Sequence, residues 1–437
     1  MVKAVCQRNK STGKPVPTKK NTTKTKDGGM PLKTITYGSD FTGLSSQSIA
    51  LVSLKNMFGL PYDFEHKFAC DKVKACKTLI NSVNKPGILY DDVIGRIHDD
   101  VPAVDFYQYT CPCQGLSGFG KQDLGDSRTT LVSYAILFVR KKKPKCFVSE
   151  QVHQWGAKGK FKALHDWVVA EHIKDGYEIH EKSVNSKDYG VPQQRVRHYL
   201  VGIRKDIART RAASIDIFPN KEHYPSKLPV QFIAPRLPTA LWKPHPPTGT
   251  PQYDNVMAAY SKCKVNPFVV PVIVDAGSSP GKFQDFAVAS CPTLAAARAS
   301  QRGYWCSTKG GYLDVHEMSS LQGYHPILGT ALPDAGVSNA QLGHCLGNAQ
   351  SANYLLLLYP RVLFHAQLIT LVEYKNVMAS LDLRFLNLDK AGKPEDEFTF
   401  GYSARSSSTS SSSSSRVQLG GAPSATVASS APSAGPP

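Results

Sequence analysis

The sequence predicts an α/β fold: a mostly parallel sheet covered by helices on both faces, with a smaller inserted region. Three observations predict it. Short β-type runs alternate with longer helical patterns over the first half of the chain. That alternation fails across a proline-crowded stretch beginning near Asp206. Chemically unusual residues recur where strands hand over to helices, the place where open α/β sheets bind their ligands.

Taken in order, "LKTITYGSD" reads as the first strand. "FTGLSSQSIAL", starting at Phe41, is a turn with Gly43 and small hydroxyl residues that opens a helix, whose free N–H groups suit an anionic or carboxylate group. "EHKFACD" is a strand ending at Asp71, followed by the helical "KVKACKTLINSV". "GILYDDV" ends a third strand at Asp91 and Asp92. Each acid alone reads as a solvated loop charge; three at successive strand ends point to one crevice, where such side chains take ribose hydroxyls. "AVDFYQYT" delivers Cys111, Pro112, Cys113 and Gln114 to the same place. A thiol there becomes a nucleophile if a helix start or an arginine lowers its pKa. After the helical "TTLVSYAILFVRKKK", the strand "KCFVSEQV" ends with Glu150, a carboxyl that burial penalises unless it is paired or poised for proton transfer. "DYGVPQQRVRHYLVGIR" sets Arg195 and Arg197 two apart, on one face of an extended segment.

Beyond Asp206 the prolines predict irregular loops and edge strands. Regular patterns return with "YLDVHEMSSLQGY" and with "QSANYLLLLYPRVLFHAQLITLVEY", a core helix expected to end or kink at Pro360. The chain then divides into a disordered basic arm (1–30), a core (31–205), an insert (206–289), a segment completing the core (290–370), an extension (371–401) and a disordered Ser/Ala/Pro tail (402–437).

With 52 Lys and Arg against 34 Asp and Glu, the formal charge of +18 attracts a polyanion such as nucleic acid. No apolar run approaches the roughly 20 residues that span a bilayer, and the lysine-rich N-terminus lacks a signal core, which reads as soluble and intracellular. The ten cysteines show neither a disulfide framework nor a zinc ribbon, and no metal is expected. "RKKKPK" (140–145) reads as a cationic helix C-terminus more readily than as an import signal.

In this order the motifs resemble the C5-cytosine-specific DNA methyltransferase family, from about Leu32 to Leu363. The resemblance rests on Phe41-Thr42-Gly43, Asp71, Asp92, Pro112-Cys113-Gln114 with Ser117, Gly120 and Arg128, Glu150-Gln151-Val152, Gln193-x-Arg195-x-Arg197, "HEMSSLQGY", and Gly347-Asn348. It implies a Rossmann-like, S-adenosylmethionine-dependent methyltransferase fold whose inserted region recognises the target. It implies further that Cys113 is the nucleophile, acting with Gln114, Glu150, Arg195 and Arg197. Phe41, Thr42, Gly43, Leu44, Asp71, Asp92, Val93, Pro112 and Asn348 would hold S-adenosylmethionine. Ser117, Arg128 and Gln193 would meet nucleic acid. The implied reaction is methylation of carbon 5 of a flipped-out cytosine in DNA, with a nuclear location read from the substrate and the serine tract. Two alternatives stay open: a tRNA cytosine methyltransferase of the same family, although its Cys-Phe-Thr signature is missing, and a catalytically silent nucleic-acid-binding regulator. Ser45 and Ser46 stand where the family has glycines, so that Cβ atoms are expected to face the cofactor; Gln151 replaces Asn, and His316 replaces Arg.

Overall fold

Lys33–Asp40 forms β1, whose last four residues are buried because a neighbour pairs with it on each side. The computed structural model describes residues 32–112, 130–156, 161–208, 215–278 and 285–391. The arm expected at 1–30 and the tail at 402–437 lie outside the described residues, as do Cys113, Gln114, Ser117 and Arg128.

From β1 the chain continues through α1 (Ser46–Asn56), β2 (Tyr62–Cys70), α2 (Lys74–Asn84), β3 (Ile88–Tyr90), β4 (Phe106–Tyr109), α3 (Val132–Lys142) and β5 (Cys146–Val152). Next come α4 (Lys162–Lys174), β6 (Tyr177–Asn185) and β7 (Val196–Arg204). The seven strands lie in the order β3-β2-β1-β4-β5-β7-β6. The first five run parallel, and β7 is antiparallel to both β5 and β6. Connections run outward to β3 on one side and outward from β4 on the other. The reversal between β1 and β4 opens a crevice at the strands' carboxyl ends, where such sheets take ligands. Gly38 in β1 cannot be replaced cheaply, since a Cβ there would stand 2.2 Å from the Phe68 ring of β2.

The "RKKKPK" stretch forms the last turn of α3 and the loop after it. Arg140 pairs with Asp175 at 2.9 Å, Lys141 with Asp99 at 2.8 Å and Lys145 with Asp105 at 3.0 Å. Its cations therefore serve the helix end and its neighbours.

The proline-rich region holds the short α5 (Val230–Ile233), then α6 (Pro251–Lys262), started by the Thr250 hydroxyl accepting from the Tyr253 N–H. Here β8 (Val272–Asp275) and β9 (Phe286–Val288) enter a second, antiparallel sheet. After α7 (Ala296–Ser300), β10 (Tyr304–Cys306) and β11 (Gly311–Tyr312) complete it in the order β11-β10-β8-β9, so the sheet draws strands from both sides of residue 289. Val256, Ala259, Val272, Val274 and Trp305 form a small core of their own.

The remaining helices are α8 (Val315–Leu321), α9 (Asn339–Asn348), α10 (Ala352–His365) and α11 (Leu371–Phe385). Helix α10 runs through Pro360 to His365, beyond the proline where the sequence placed an end or kink. An interior proline costs about 3 kcal/mol. Leu355–Leu358 before it and Val362–Phe364 after it are buried, each side chain contributing roughly 1.5–3 kcal/mol, so packing outweighs the lost hydrogen bond. No helix among the described residues is long and apolar enough to cross a membrane.

Candidate functional site

The end of β1 carries a buried ion pair. Both oxygens of Asp40 accept from Arg96, at 2.6 and 2.7 Å, and Oδ2 also accepts the Tyr107 hydroxyl at 2.7 Å. The guanidinium stacks over Phe68 and Tyr90. No motif in the sequence singled out this pair, since its partners stand 56 residues apart.

The following turn places Phe41, Gly43 and Ser45 at φ of 56°, 59° and 65°. Such backbone costs a non-glycine residue of order 1–3 kcal/mol. Hydrogen bonds hold it: the Thr42 N–H donates to Cys70 O at 3.0 Å, the Gly43 N–H to Asp71 Oδ2 at 2.7 Å, and the Thr110 hydroxyl to Phe41 O at 2.8 Å. Ser45 and Ser46 are buried and neither lines the cleft; the Ser46 hydroxyl lies 2.6 Å from that of Tyr324. Their Cβ atoms therefore do not face a ligand, contrary to the sequence expectation. Thr42 and Leu44 are also buried and build the turn rather than the cleft wall, because Thr42 is turned to Ser39 and Leu44 into the core.

The cleft itself measures about 460 Å³ and is bounded by the ends of β1 to β5 and by β7. Phe41, Gly43, Asp71, Asp92, Val93, Pro112, Glu150, Arg195, Arg197 and Asn348 of the expected site all line it. Asp71 accepts the Val73 N–H at 2.8 Å in addition to that of Gly43, yet burial prevails and raises its pKa. At Asp92 burial is outweighed by Lys72, 2.8 Å away, and by the Ile94 N–H, which hold the carboxyl below its usual range. Lys72 and the exposed Val73 and Ile94 also line the cleft, and sequence reading passed over all three.

Past β4, Cys111 is buried in the core cluster that includes Tyr109, Val132 and Trp155, and burial pushes its thiol well up. Its carbonyl accepts from Gln151 Nε2 at 2.7 Å. The Gln151 Oε1 is in turn engaged by the Val152 N–H at 3.2 Å. Gln151 thus anchors the backbone at the entrance to Pro112, a role the Gln-for-Asn change hid.

Glu150 is buried. Burial pushes its carboxyl up, while Arg197 and Arg195 pull it back. Arg197 Nε stands 3.1 Å from Glu150 Oε1, in a pair whose geometry falls short of a hydrogen bond, so this oxygen has no hydrogen-bond partner. Arg195 is also buried, and its guanidinium donates to Ala349 O at 2.6 Å, Leu294 O at 3.3 Å and Gly347 O at 3.4 Å. It pins the carboxyl end of α9 to the cleft wall. Gly347 must be glycine here, for a Cβ would meet the Ala296 N at 2.2 Å.

Gln193, expected to meet nucleic acid, is wholly buried and donates to Gln322 Oε1 at 3.4 Å. Gln322 in turn donates to Leu346 O and Ala349 O. This corrects the expectation of a surface contact: Gln193, three residues before β7, is enclosed by the C-terminal segment, and its amide is turned inward.

A doubly wound sheet with an acid-lined cleft at its switch point is an α/β arrangement that takes ligands at its strand ends, and here Arg197 of β7 and Arg195 just before that strand line the cleft. Residues 41–250 match the family model described as C-5 cytosine-specific DNA methylase. It is 32% identical over 167 residues to the type II methyltransferase M.BanI of Aneurinibacillus aneurinilyticus, covering 37% of each chain. It is also 32% identical over 188 residues to M.NlaIV of Neisseria lactamica, covering 36% of this chain and 42% of that one. The matches span between about a fifth and two fifths of such relatives' length. In fold it is similar to the Entamoeba histolytica methyltransferase EhMeth, with a TM-score of 0.50 and 14% identity over 76% of this chain and 98% of that one.

Proposed function

We propose that this protein methylates carbon 5 of cytosine in DNA, with S-adenosylmethionine as the methyl donor. The observation that carries the reading is the buried Glu150 carboxyl in a cleft that Pro112, Arg195 and Arg197 also line. Pro112 opens the Pro-Cys-Gln sequence, and Glu150 begins the Glu-Gln-Val sequence.

The cleft suits the cofactor. A volume of 460 Å³ falls within the roughly 300–1,000 Å³ of small-molecule sites. Asp71 and Asp92 offer carboxylate oxygens for ribose hydroxyls and an exocyclic amine, and the exposed Val73 and Ile94 offer apolar surface for a planar ring. When bound, the cofactor supplies an electrophilic methyl group. The chain's residues must do the rest. Carbon 5 is too weakly nucleophilic alone, so the Cys113 thiolate bonds to carbon 6 and displaces the carbon 5–carbon 6 π pair into the ring, making carbon 5 electron-rich. Glu150, kept protonated more readily by its burial, gives a proton to ring nitrogen 3 as that charge develops. Once carbon 5 has gained the methyl group, leaving the spent cofactor as its thioether, the carbon-5 proton leaves to a base, the carbon–sulfur bond breaks, nitrogen 3 returns its proton to Glu150 and the Cys113 thiolate is regenerated. Arg197 sets the Glu150 carboxyl; Arg195 holds the wall formed by Ala349 and Leu294. Reaching these atoms requires the base to leave the stack, at a few kcal/mol. Cys113, Gln114, Ser117 and Arg128 carry their roles by resemblance of sequence.

The formal charge of +18 supports a nucleic-acid partner. Within this reading the insert at 206–289 faces the DNA. Nuclear location rests on the substrate and the serine tract, and the bacterial relatives do not speak for it.

The test is transfer of label from methyl-tritiated S-adenosylmethionine to duplex DNA or to tRNA by the full chain, with Cys113→Ala beside it. Label in DNA 5-methylcytosine that Cys113→Ala abolishes is expected. Label confined to tRNA moves the substrate, and equal label with Cys113→Ala overturns the reading.

A further inference from the structure

A second cluster lies on the opposite face of the outer sheet. His165 of α4, Glu181 of β6 and His198 of β7 bring three donor atoms within 4.8 Å of one another. Glu181 Oε2 stands 2.9 Å from His165 Nε2 and 3.7 Å from His198 Nε2. Both imidazoles are buried, while Glu181 is open to solvent. His198 Nε2 is buried with no hydrogen-bond partner, and it is aimed at the Glu181 carboxylate.

The outer nitrogens of both rings are already fixed. His165 Nδ1 lies 3.1 Å from Asp166 Oδ1, and His198 Nδ1 lies 3.1 Å from Ser183 Oγ, which also meets His153 Nδ1 at 2.9 Å. This is how metal-binding histidines are held, with one nitrogen engaged by a carboxylate or hydroxyl and the other left for the ion. A tetrahedral ion at about 2.0–2.1 Å from each ligand separates donor atoms by roughly 3.3 Å. The two separations from Glu181, 2.9 and 3.7 Å, lie on either side of that value, and all three donor atoms lie within 4.8 Å of one another, so modest side-chain movements close the three around an ion.

We propose that His165, Glu181 and His198 bind one divalent cation of the zinc class, with a solvent-facing position left for water. Two imidazoles and one carboxylate suit zinc, cobalt or nickel; calcium and magnesium want oxygen ligands. The Glu181 and Asp166 carboxylates balance the charge of the ion. It would tie α4 to the β6–β7 pair. His198 is the register partner of Gln151 on β5 and follows Arg197, so the brace steadies the two strands that present Glu150 and Arg197. The proposal stands independently of the methyl-transfer reading.

The experiment titrates the full chain, stripped with a chelator, with zinc in a calorimeter and with cobalt in a visible spectrometer. One equivalent is expected, with the cobalt spectrum of a nitrogen and oxygen site and a rise in melting temperature on loading. Glu181→Gln, at an exposed position, and His165→Gln should each weaken binding about a hundredfold, and Asp166→Asn about tenfold. The proposal is overturned if the wild-type chain takes up no equivalent, if Glu181→Gln and His165→Gln bind as it does, or if cobalt shows thiolate bands.

Discussion

Arg197 and His198 are neighbours on β7, yet they serve two different clusters, because successive residues of a strand point to opposite faces. On the cleft face Arg197 meets Glu150. On the outer face His198 meets Glu181 and His165. The cleft cluster is assembled from strand ends whose motifs follow one another in order. The outer cluster is assembled from the first turn of α4, the middle of β6 and the start of β7, and its residues carry no recognisable spacing. Burial acts on both regions in opposite senses. It raises the pKa of Glu150, favouring the protonated neutral acid, and lowers those of His198 and His172, favouring the neutral base. Desolvation disfavours charge on both sides of the sheet; Arg197 and Arg195 counter it at Glu150, and Glu181 counters it at His198.

The largest expected effect separates the faces by activity. Glu150→Gln should lower turnover roughly 10²–10⁴-fold, the usual range for a proton-transfer group, whereas Glu181→Gln should leave the rate on DNA within about twofold under metal-free conditions. Equal losses in single-turnover label transfer would break the comparison. Next, Arg197→Gln leaves the Glu150 carboxyl buried without its ion partner and should destabilise the fold by about 3 kcal/mol, read as a lower urea midpoint.

A pH effect of similar size belongs to the outer side. His172 of α4 is buried, 2.8 Å from the Tyr109 hydroxyl, and burial lowers its pKa to about 3 from 6.5. Because the folded state resists the proton that the unfolded state takes, this contribution is intact above pH 6.5 and is lost as pH falls toward 3. Wild-type chain should lose about 3 kcal/mol from this group between about pH 7 and pH 4.5, and urea midpoints for His172→Gln should show a correspondingly flatter acid limb. Equal slopes would remove His172 from the account.

Smaller effects sharpen the description of the cleft wall. Gly347→Ala forces a Cβ onto the Ala296 backbone and should destabilise by about 2 kcal/mol while weakening S-adenosylmethionine binding, measured by calorimetry. Ser45→Gly should do the reverse. It relieves a left-handed backbone and removes a buried hydroxyl that has no partner, and its melting temperature should rise by an amount equivalent to about 1 kcal/mol.

Much of the cleft was legible because its chemistry sits at strand ends, where alternation of strand and helix fixes the position of a residue from local pattern alone. Asp71, Asp92 and Glu150 were found in this way and Arg197 by the alternation of an extended segment, and all four line the cleft. Thr42, Leu44 and Gln193 were misplaced because local pattern gives a residue's position on the backbone without saying what packs over it. The C-terminal segment encloses Gln193, and the tight turn draws Thr42 inward.

By itself, the sequence determined the α/β class, the succession of strands and helices along its first half and the family likeness, since periodicity and short motifs are local properties of the chain. Only the tertiary structure decided the Asp40–Arg96 pair, the hold of Gln151 on Cys111, the continuous helix through Pro360 and the His165–Glu181–His198 cluster. Each depends on which distant segments meet, or on burial large enough to overrule a local preference, and neither is written in the spacing of residues along the chain.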